Sequence, residues 1–471
     1  MTPRSRLPWL LLCSSLLACA HGKLAPPVVA ARAPLSAAVD PHLVEMTADP
    51  TTSLVLANAR DELAIRVRIK ASDLPAARRP ALDLALVLDT SGSMEGDAID
   101  ALRTSARALA AKLRDGDRLS VVVFHSKAEV LVPNVVIRPD NRASIDHAIA
   151  GIHATGTTDL AGGLAVGLAQ LQAGYLPNGI NRIVLLSDGV PNSSTQLPAL
   201  VAGIRQAGVS ITSLGFGIDY DSTLMAGLAR DTGGAFHYLA AADEVGKMFD
   251  AELAKMSTSV ARNMQLVIAP GPGVTVSAMP GLGATPDGKF YAAIGDLPAG
   301  ETRDLMIPIT VAARAADSTA ELLDTTLTFD DVIGKSGQQT RDAFVAVKTS
   351  KDAAALKSAI AIDLEVARIR AAAAAAILQA IIVARNGQVA QARQGLAAAA
   401  ATVKTAAAHY PELADLVIQL DQVDHEIAQI VPAVQVVRDQ RPQQPAMAPM
   451  PETEKQLRQV EDKASAVLRG E

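Results

Sequence analysis

Asp89-Thr90-Ser91-Gly92-Ser93 places a carboxylate and two hydroxyls on one short stretch of chain. Gly92 lets the backbone turn between the serines, so these oxygens can point into one small volume. Gly156-Thr157-Thr158-Asp159-Leu160 offers a further hydroxyl at Thr158, and Leu185-Leu186-Ser187-Asp188-Gly189 a second carboxylate at Asp188. Oxygen-only ligands with few carboxylates suit a hard divalent cation, Mg²⁺ first, because Mg²⁺ keeps several waters; Mn²⁺ and Ca²⁺ are the alternatives. The plainer reading is that Asp89 and its serines cap the helix that follows, since Asp and Ser favour N-caps. That accounts for one loop but not for three. Asp159 itself reads as a helix cap rather than a ligand.

Three such loops meet only if the elements before them end at one edge. Leu82 to Leu88 is a near-continuous apolar run, as a strand buried on both faces requires, and Asp89 closes it. Strands at Leu119 to Phe124, Ile183 to Leu186, Val209 to Leu214 and Ala235 to Leu239 alternate with helical spacing at Ala98 to Leu113, Ser144 to Ile152, Leu160 to Leu171, Leu197 to Gln206, Leu224 to Arg230 and Glu244 to Met256. That alternation predicts a mostly parallel sheet with helices on both faces. Ligands of such sheets bind beyond the carboxyl ends of the strands, at the switch in strand order. Gly162-Gly163 reads as a point of close helix packing rather than a phosphate loop.

Around this unit the texture changes. Leu54 to Ala57 and Leu63 to Ile69 before it, and six segments between Met264 and Val347 after it, read as strands. The expected fold is a Rossmann-like, doubly wound α/β domain inserted in a β-sandwich. An α-helical C-terminal region follows, with one long helix over Ala353 to Arg385 and others over Gln388 to His409 and on to about Ile430. The expected division is a leader over 1–18, a flexible tether over 19–50, sandwich strands over 51–80 and 260–350, and the α/β domain over 81–259. A helical bundle-like region over 351–432, a Pro/Gln linker over 433–453 and a C-terminal helix over 454–471 complete it.

Leu7 to Ala18 is apolar but too short to span a bilayer, and it ends in Leu16-Leu17-Ala18-Cys19. This resembles a bacterial lipobox, with cleavage before Cys19 and lipidation of its thiol. Cys13 and Trp9 would leave with the leader, so the mature chain would have no disulfide and no tryptophan. The balance of 43 basic against 49 acidic side chains, with no basic stripe, argues against nucleic acid. His125, His153 and His237 lack partners at metal-ligand spacing. Asp97 with Asp100 reads as a solvated helix face, Asp219-Tyr220-Asp221 as a turn and cap, and Asp330-Asp331 as a hairpin turn. No Gly-x-Ser-x-Gly elbow, phosphate loop or dinucleotide fingerprint occurs.

With its three loops in this order, the segment from about Ala81 to Ser257 resembles the von Willebrand factor A family and its metal-ion-dependent adhesion site. The resemblance implies that Ser91, Ser93 and Thr158 contact the metal through hydroxyls, with Asp89 and Asp188 acting directly or through water. It also implies an open coordination position for a partner's Glu or Asp. The strands flanking the domain resemble the inter-alpha-trypsin-inhibitor heavy-chain and calcium-activated chloride channel-like group, although no pore-forming segment is present. The expected function is a non-enzymatic, metal-dependent protein-binding module, lipid-anchored in the cell envelope of a Gram-negative bacterium, at the outer membrane because Ala20 follows Cys19. The rival is an assembly scaffold that binds through the C-terminal helices and keeps the metal as a structural ion. An enzyme using the metal for hydrolysis is disfavoured, because no general base is evident beside the loops.

Overall fold

Even-numbered residues of the strand over Leu82 to Leu88 face one helical layer and odd-numbered residues the other, which is why the run is apolar except at Asp83. The computed structural model describes residues 42–73, 80–187, 191–216, 222–239, 242–429 and 452–470. Asp188, Cys19 with the rest of the leader, Asp219-Tyr220-Asp221 and the segment 430–451 lie outside them.

Three strands open the described chain: β1 (Val44–Pro50), β2 (Leu54–Leu56) and β3 (Asp61–Ala71). The α/β unit follows with β4 (Leu82–Asp89), α1 (Asp97–Lys112), β5 (Arg118–Phe124), β6 (Ala128–Val136), α2 (Arg142–Ala150), α3 (Leu160–Gly174), β7 (Ile180–Ser187), α4 (Leu197–Gln206), β8 (Ser210–Phe216), α5 (Ser222–Asp231), β9 (Phe236–Leu239) and α6 (Ala242–Thr258). Its sheet order is β6-β5-β4-β7-β8-β9. All pairs are parallel except β5 with β6. Strand order therefore reverses beside β4, between β5 and β7. Leu82, Leu84, Leu86 and Leu88 pack with α1 and α6, while Ala85 and Val87 pack with α3 and α4. Gly163 and Gly167 let α3 lie directly on the sheet: a Cβ would come within 2.7 Å of the Phe124 ring and 2.6 Å of Val87.

Thr258 ends α6 and Ser259 begins β10 (Ser259–Pro270), with no linker between. β11 (Val274–Val276), β12 (Gly283–Ala284), β13 (Phe290–Pro298), β14 (Thr302–Val311), β15 (Thr319–Asp331) and β16 (Gly337–Ser350) follow. One sheet runs β1-β3-β14-β11 and the other β12-β13-β10-β15-β16-β2. They share a core that includes Ile65, Val67, Leu266, Ile307, Leu327 and Phe329, so strands from both sides of the α/β unit build one sandwich. A buried Arg182 on β7 joins the α/β unit to the sandwich, bonding Glu252 on α6 at 3.2 Å and Asp296 on β13 at 2.6 Å. Burial would raise the Glu252 carboxyl, but the His237 hydrogen bond and the charges of Arg182, His237 and Lys255 outweigh it and hold it at about 2. Arg262 on β10 reaches back to the carbonyls of Leu176, Pro177 and Gly179 before β7.

The helical region comprises α7 (Ala353–Ser358), α8 (Ile362–Arg385), α9 (Val389–Ala407), α10 (Ala414–Ala428) and α11 (Glu452–Arg469). By length and composition α8 could cross a membrane, yet Ile369, Ile377 and Ile381 are buried in a shared core with Leu396, Leu420, Leu457 and Leu468. The described part of the C-terminal helix is thus docked: Arg458 lies over the Tyr238 ring, Glu461 pairs with Arg385 at 2.8 Å, and the Gly470 carbonyl accepts from the Asp304 amide.

Several expectations need correction. The tether does not extend to residue 50, because Val44–Pro50 pairs along the length of β3. Its alternation of Val44, Met46 and Ala48 with Glu45, Thr47 and Asp49 is the strand pattern that went unread. The helix expected over Ala353 to Arg385 is broken at Ala359 to Ala361. There the chain leaves helical pairing to bond the loop before β2, through Ser53 N to Ala359 O and Ala361 N to Thr51 O. β6 was not foreseen; Pro133 argues against a central strand but is tolerated on an edge, where β6 lies. Asp331 does serve a hairpin turn, accepting from the amides of Ile333 and Gly334.

Candidate metal centre

At the carboxyl end of β4 the side chain of Asp89 is fully buried. Its Oδ1 accepts the Ser91 amide at 2.9 Å and its Oδ2 the Ser187 hydroxyl at 2.5 Å. Burial pushes this carboxyl above its ordinary range, and the bonds from Ser187 and Ser91 pull it back only in part. Just past it the Ser91 and Ser93 hydroxyls stand 3.0 Å apart. Neither serine nor Asp89 caps α1, whose N-cap is Gly96, and Ser91 makes no side-chain bond to the short 3₁₀ turn Gly92–Met94. The capping alternative therefore does not describe this loop.

The second loop is fastened to the first by backbone. Thr155 N donates to Thr90 O at 2.7 Å and Gly92 N to Gly156 O at 3.0 Å. Gly156 has φ +74°, and a Cβ there would meet the Ser126 hydroxyl and amide, so only glycine fits this crossing. Two residues on, Thr158 is buried. Asp159 caps α3 as expected, accepting the Gly162 amide at 3.0 Å.

The third loop is seen at its two ends. Leu88 pairs with Leu186 in parallel register, so Ser187, the residue before Asp188, lies level with Asp89 and bonds it. On the far side, Asn192 N donates to Thr158 O at 3.0 Å and Asn192 Nδ2 to Thr157 Oγ1 at 3.0 Å. Ser126 completes the set: its hydroxyl accepts the Thr157 amide at 3.1 Å and bonds the Thr157 hydroxyl at 3.2 Å.

Ser187, Ser126 and Asn192 were missed from the sequence. Ser187 had a signal, since it directly precedes the singled-out Asp188; the other two lie on loops that only the tertiary fold brings in. The remaining candidates do other work. His125 Nδ1 accepts the Ser126 amide, His237 bonds Glu252 and Asp100 pairs with Arg103. Among the described residues no group of three or more His, Cys, Asp or Glu side chains could hold a metal, so the hydroxyl-rich edge at Asp89 stands apart in its chemistry. Its donors fit a hard cation: hydroxyls converge beside a single buried carboxylate.

Comparison with known proteins agrees with the fold of the α/β unit. Residues 83–251 match the family model for the von Willebrand factor type A domain. The uncharacterized protein YfbK of Escherichia coli is 29% identical over 210 residues, covering 43% of this chain and 36% of YfbK. Human inter-alpha-trypsin inhibitor heavy chain H4 is 30% identical over 164 residues, covering 32% of this chain and 17% of that protein. The match thus spans a minor part of each relative's own length. A von Willebrand factor type A protein from Catenulispora acidiphila has the same fold at 19% identity, with a TM-score of 0.63 over 82% of this chain and 89% of its own.

Proposed function

Taking it as given that residues 83–251 form a von Willebrand factor type A domain, we propose that the chain is a metal-dependent binding protein whose ion is held by Asp89, Ser91, Ser93, Thr158 and Asp188. The observation that carries this reading is the fastening of three loops at one sheet edge. The chain enters the third loop bonded to Asp89 and leaves it bonded to Thr158. Ser91, Ser93 and Thr158 would offer hydroxyl oxygens, and Asp89 and Asp188 the negative charge. With only two carboxylates in the set, a bound Mg²⁺ would supply an electron-poor centre for an acidic side chain of a partner protein. The hydrogen bonds to Asp89 and between the first two loops support a partly preformed site, which reduces the ordering cost of binding.

Mg²⁺ or Mn²⁺ should raise the melting temperature of the chain and EDTA should reverse the rise. Occupancy at a hundredfold excess over Kd corresponds to about 2.7 kcal/mol. Ser93→Ala alters an exposed residue and should abolish the response with the fold intact. An equal response in that variant would remove the site. A second reading has the helices bind the partner and makes the ion structural. Capture of partner that survives EDTA would select it.

The reading extends to location. The Leu16-Leu17-Ala18-Cys19 sequence supports lipidation at Cys19, and Ala20 after it supports the outer rather than the inner membrane of a Gram-negative cell. Acyl chains add roughly 0.8 kcal/mol of membrane affinity per buried methylene. Cys19→Ser should move the protein to the soluble fraction, and continued membrane association would count against the anchor.

A further inference from the structure

Asp89 is oriented by a residue outside the ligand set. The last torsion of an aspartate is soft, so a carboxylate held by one donor can rotate. Here each oxygen has its own donor. The Ser91 amide comes from the loop itself, at 2.9 Å. The Ser187 hydroxyl comes from the neighbouring strand, at 2.5 Å. Ser187 is 1% exposed, so water does not compete for this bond, and hydrogen bonds in such surroundings are stronger. Its backbone is fixed as well, because Ser187 pairs with Gly215 of β8 on the side away from β4. Ser120 gives the contrast. It is a buried serine on β5 of the same sheet, and its hydroxyl has no hydrogen-bond partner among the described residues. Burial in this sheet does not by itself bring a serine to a carboxylate.

We propose that Ser187 is a positioning residue of the metal site: its hydroxyl, set by the β4–β7 register, locks the rotation of the Asp89 carboxylate and so sets the affinity for the divalent cation. This rests on the metal-site reading above and adds a residue that contributes no ligand to it. Loss of the hydroxyl leaves Asp89 with donors from Ser91 of its own loop only, and the ion must then order a carboxylate that the strand had ordered beforehand.

The test is Mg²⁺ titration calorimetry on the full chain, with the ion-free melting temperature recorded for each variant. Ser187→Ala should weaken Mg²⁺ binding tenfold or more, and Ser187→Thr, which keeps a hydroxyl, should restore most of it. Ser120→Ala, an equally buried change away from the site, should leave the affinity unchanged. Ser187→Cys preserves side-chain size with a weak donor and should also bind weakly, which keeps the test available if the alanine variant fails to fold. Wild-type affinity in Ser187→Ala or Ser187→Cys would overturn the inference, as would a threonine variant no better than alanine. A wild-type chain that takes up no Mg²⁺ would defeat the metal-site reading itself, and the inference with it.

Discussion

Asp83 and Asp89 lie on the same face of one strand, and both are fully buried. Their surroundings differ at the two ends of the sheet. Asp89 is at the carboxyl end, where its own loop brings an amide and β7 a hydroxyl to its two oxygens. Asp83 is at the amino end. Its Oδ1 accepts Asn134 Nδ2 at 2.7 Å, its Oδ2 has no hydrogen-bond partner among the described residues, and Arg118 Nε stands 4.0 Å away. The last residue of α3, Gly174, fills the space beside them so closely that a Cβ would touch Asn134 and Arg118. Burial pushes both carboxyls up, and Asp83 reaches about 7 against the partial offsets of Asn134 and Arg118. One residue type on one strand thus serves two ends. At the amino end a proton relieves the buried charge; at the carboxyl end, in our reading, a cation does.

The largest expected effect is the removal of the amino-end charge. The folded pKa of Asp83 near 7 lies above its reference of 3.8, so between those values the folded chain holds more proton than the unfolded chain. Its contribution to stability is complete below about pH 4 and is lost as pH rises to about 7. Asp83→Asn should flatten that slope and leave the variant more stable than wild type at pH 8, by no more than about 4 kcal/mol. Urea unfolding across pH measures this, and an unchanged slope would take Asp83 out of the comparison.

Gly167→Ala comes next, because α3 rests on β4 between the two aspartates. A methyl placed 2.6 Å from Val87 must push the helix away, at a cost of about 1–3 kcal/mol. The melting temperature should fall and the Mg²⁺ response weaken with it, since the loop carrying Thr158 leads into α3; a neutral substitution would mean the helix is less closely seated than its glycines imply. The smallest effect belongs to the rim. Ser126→Ala loses the acceptor for Thr157 and should cost about 1 kcal/mol. Thermal unfolding with and without Mg²⁺ would show whether that loss falls on the fold or on the ion.

Much of this arrangement was legible beforehand. An apolar run ending in Asp-x-Ser-x-Ser, followed by two further oxygen-bearing loops at strand and helix boundaries, carries the sheet edge in the sequence itself. Asp159 as a cap and Gly163 as a packing contact follow from local rules and are present, whereas Gly162 abuts the Asp159 carboxylate of its own cap. What escaped depends on partners distant in sequence. The break at Ile360 is imposed by pairing with Thr52, which no helical propensity reveals. Asp83 looked like one more residue of a buried strand, because nothing in Leu82-Asp83-Leu84 tells that Asn134 and Arg118 will stand over it. Ser187 looked like the approach to Asp188, and its role appears only once β7 pairs with β4.

Diffraction from crystals soaked in Mn²⁺, recorded for its anomalous signal, tests the central claim most directly. The account predicts one strong peak at the carboxyl end of β4, about 2.0–2.3 Å from the hydroxyl oxygens of Ser91 and Ser93, near the distances of divalent ions to oxygen. A well-occupied ion elsewhere, or a fully ordered loop at that edge with no peak beside the two serines, would contradict it.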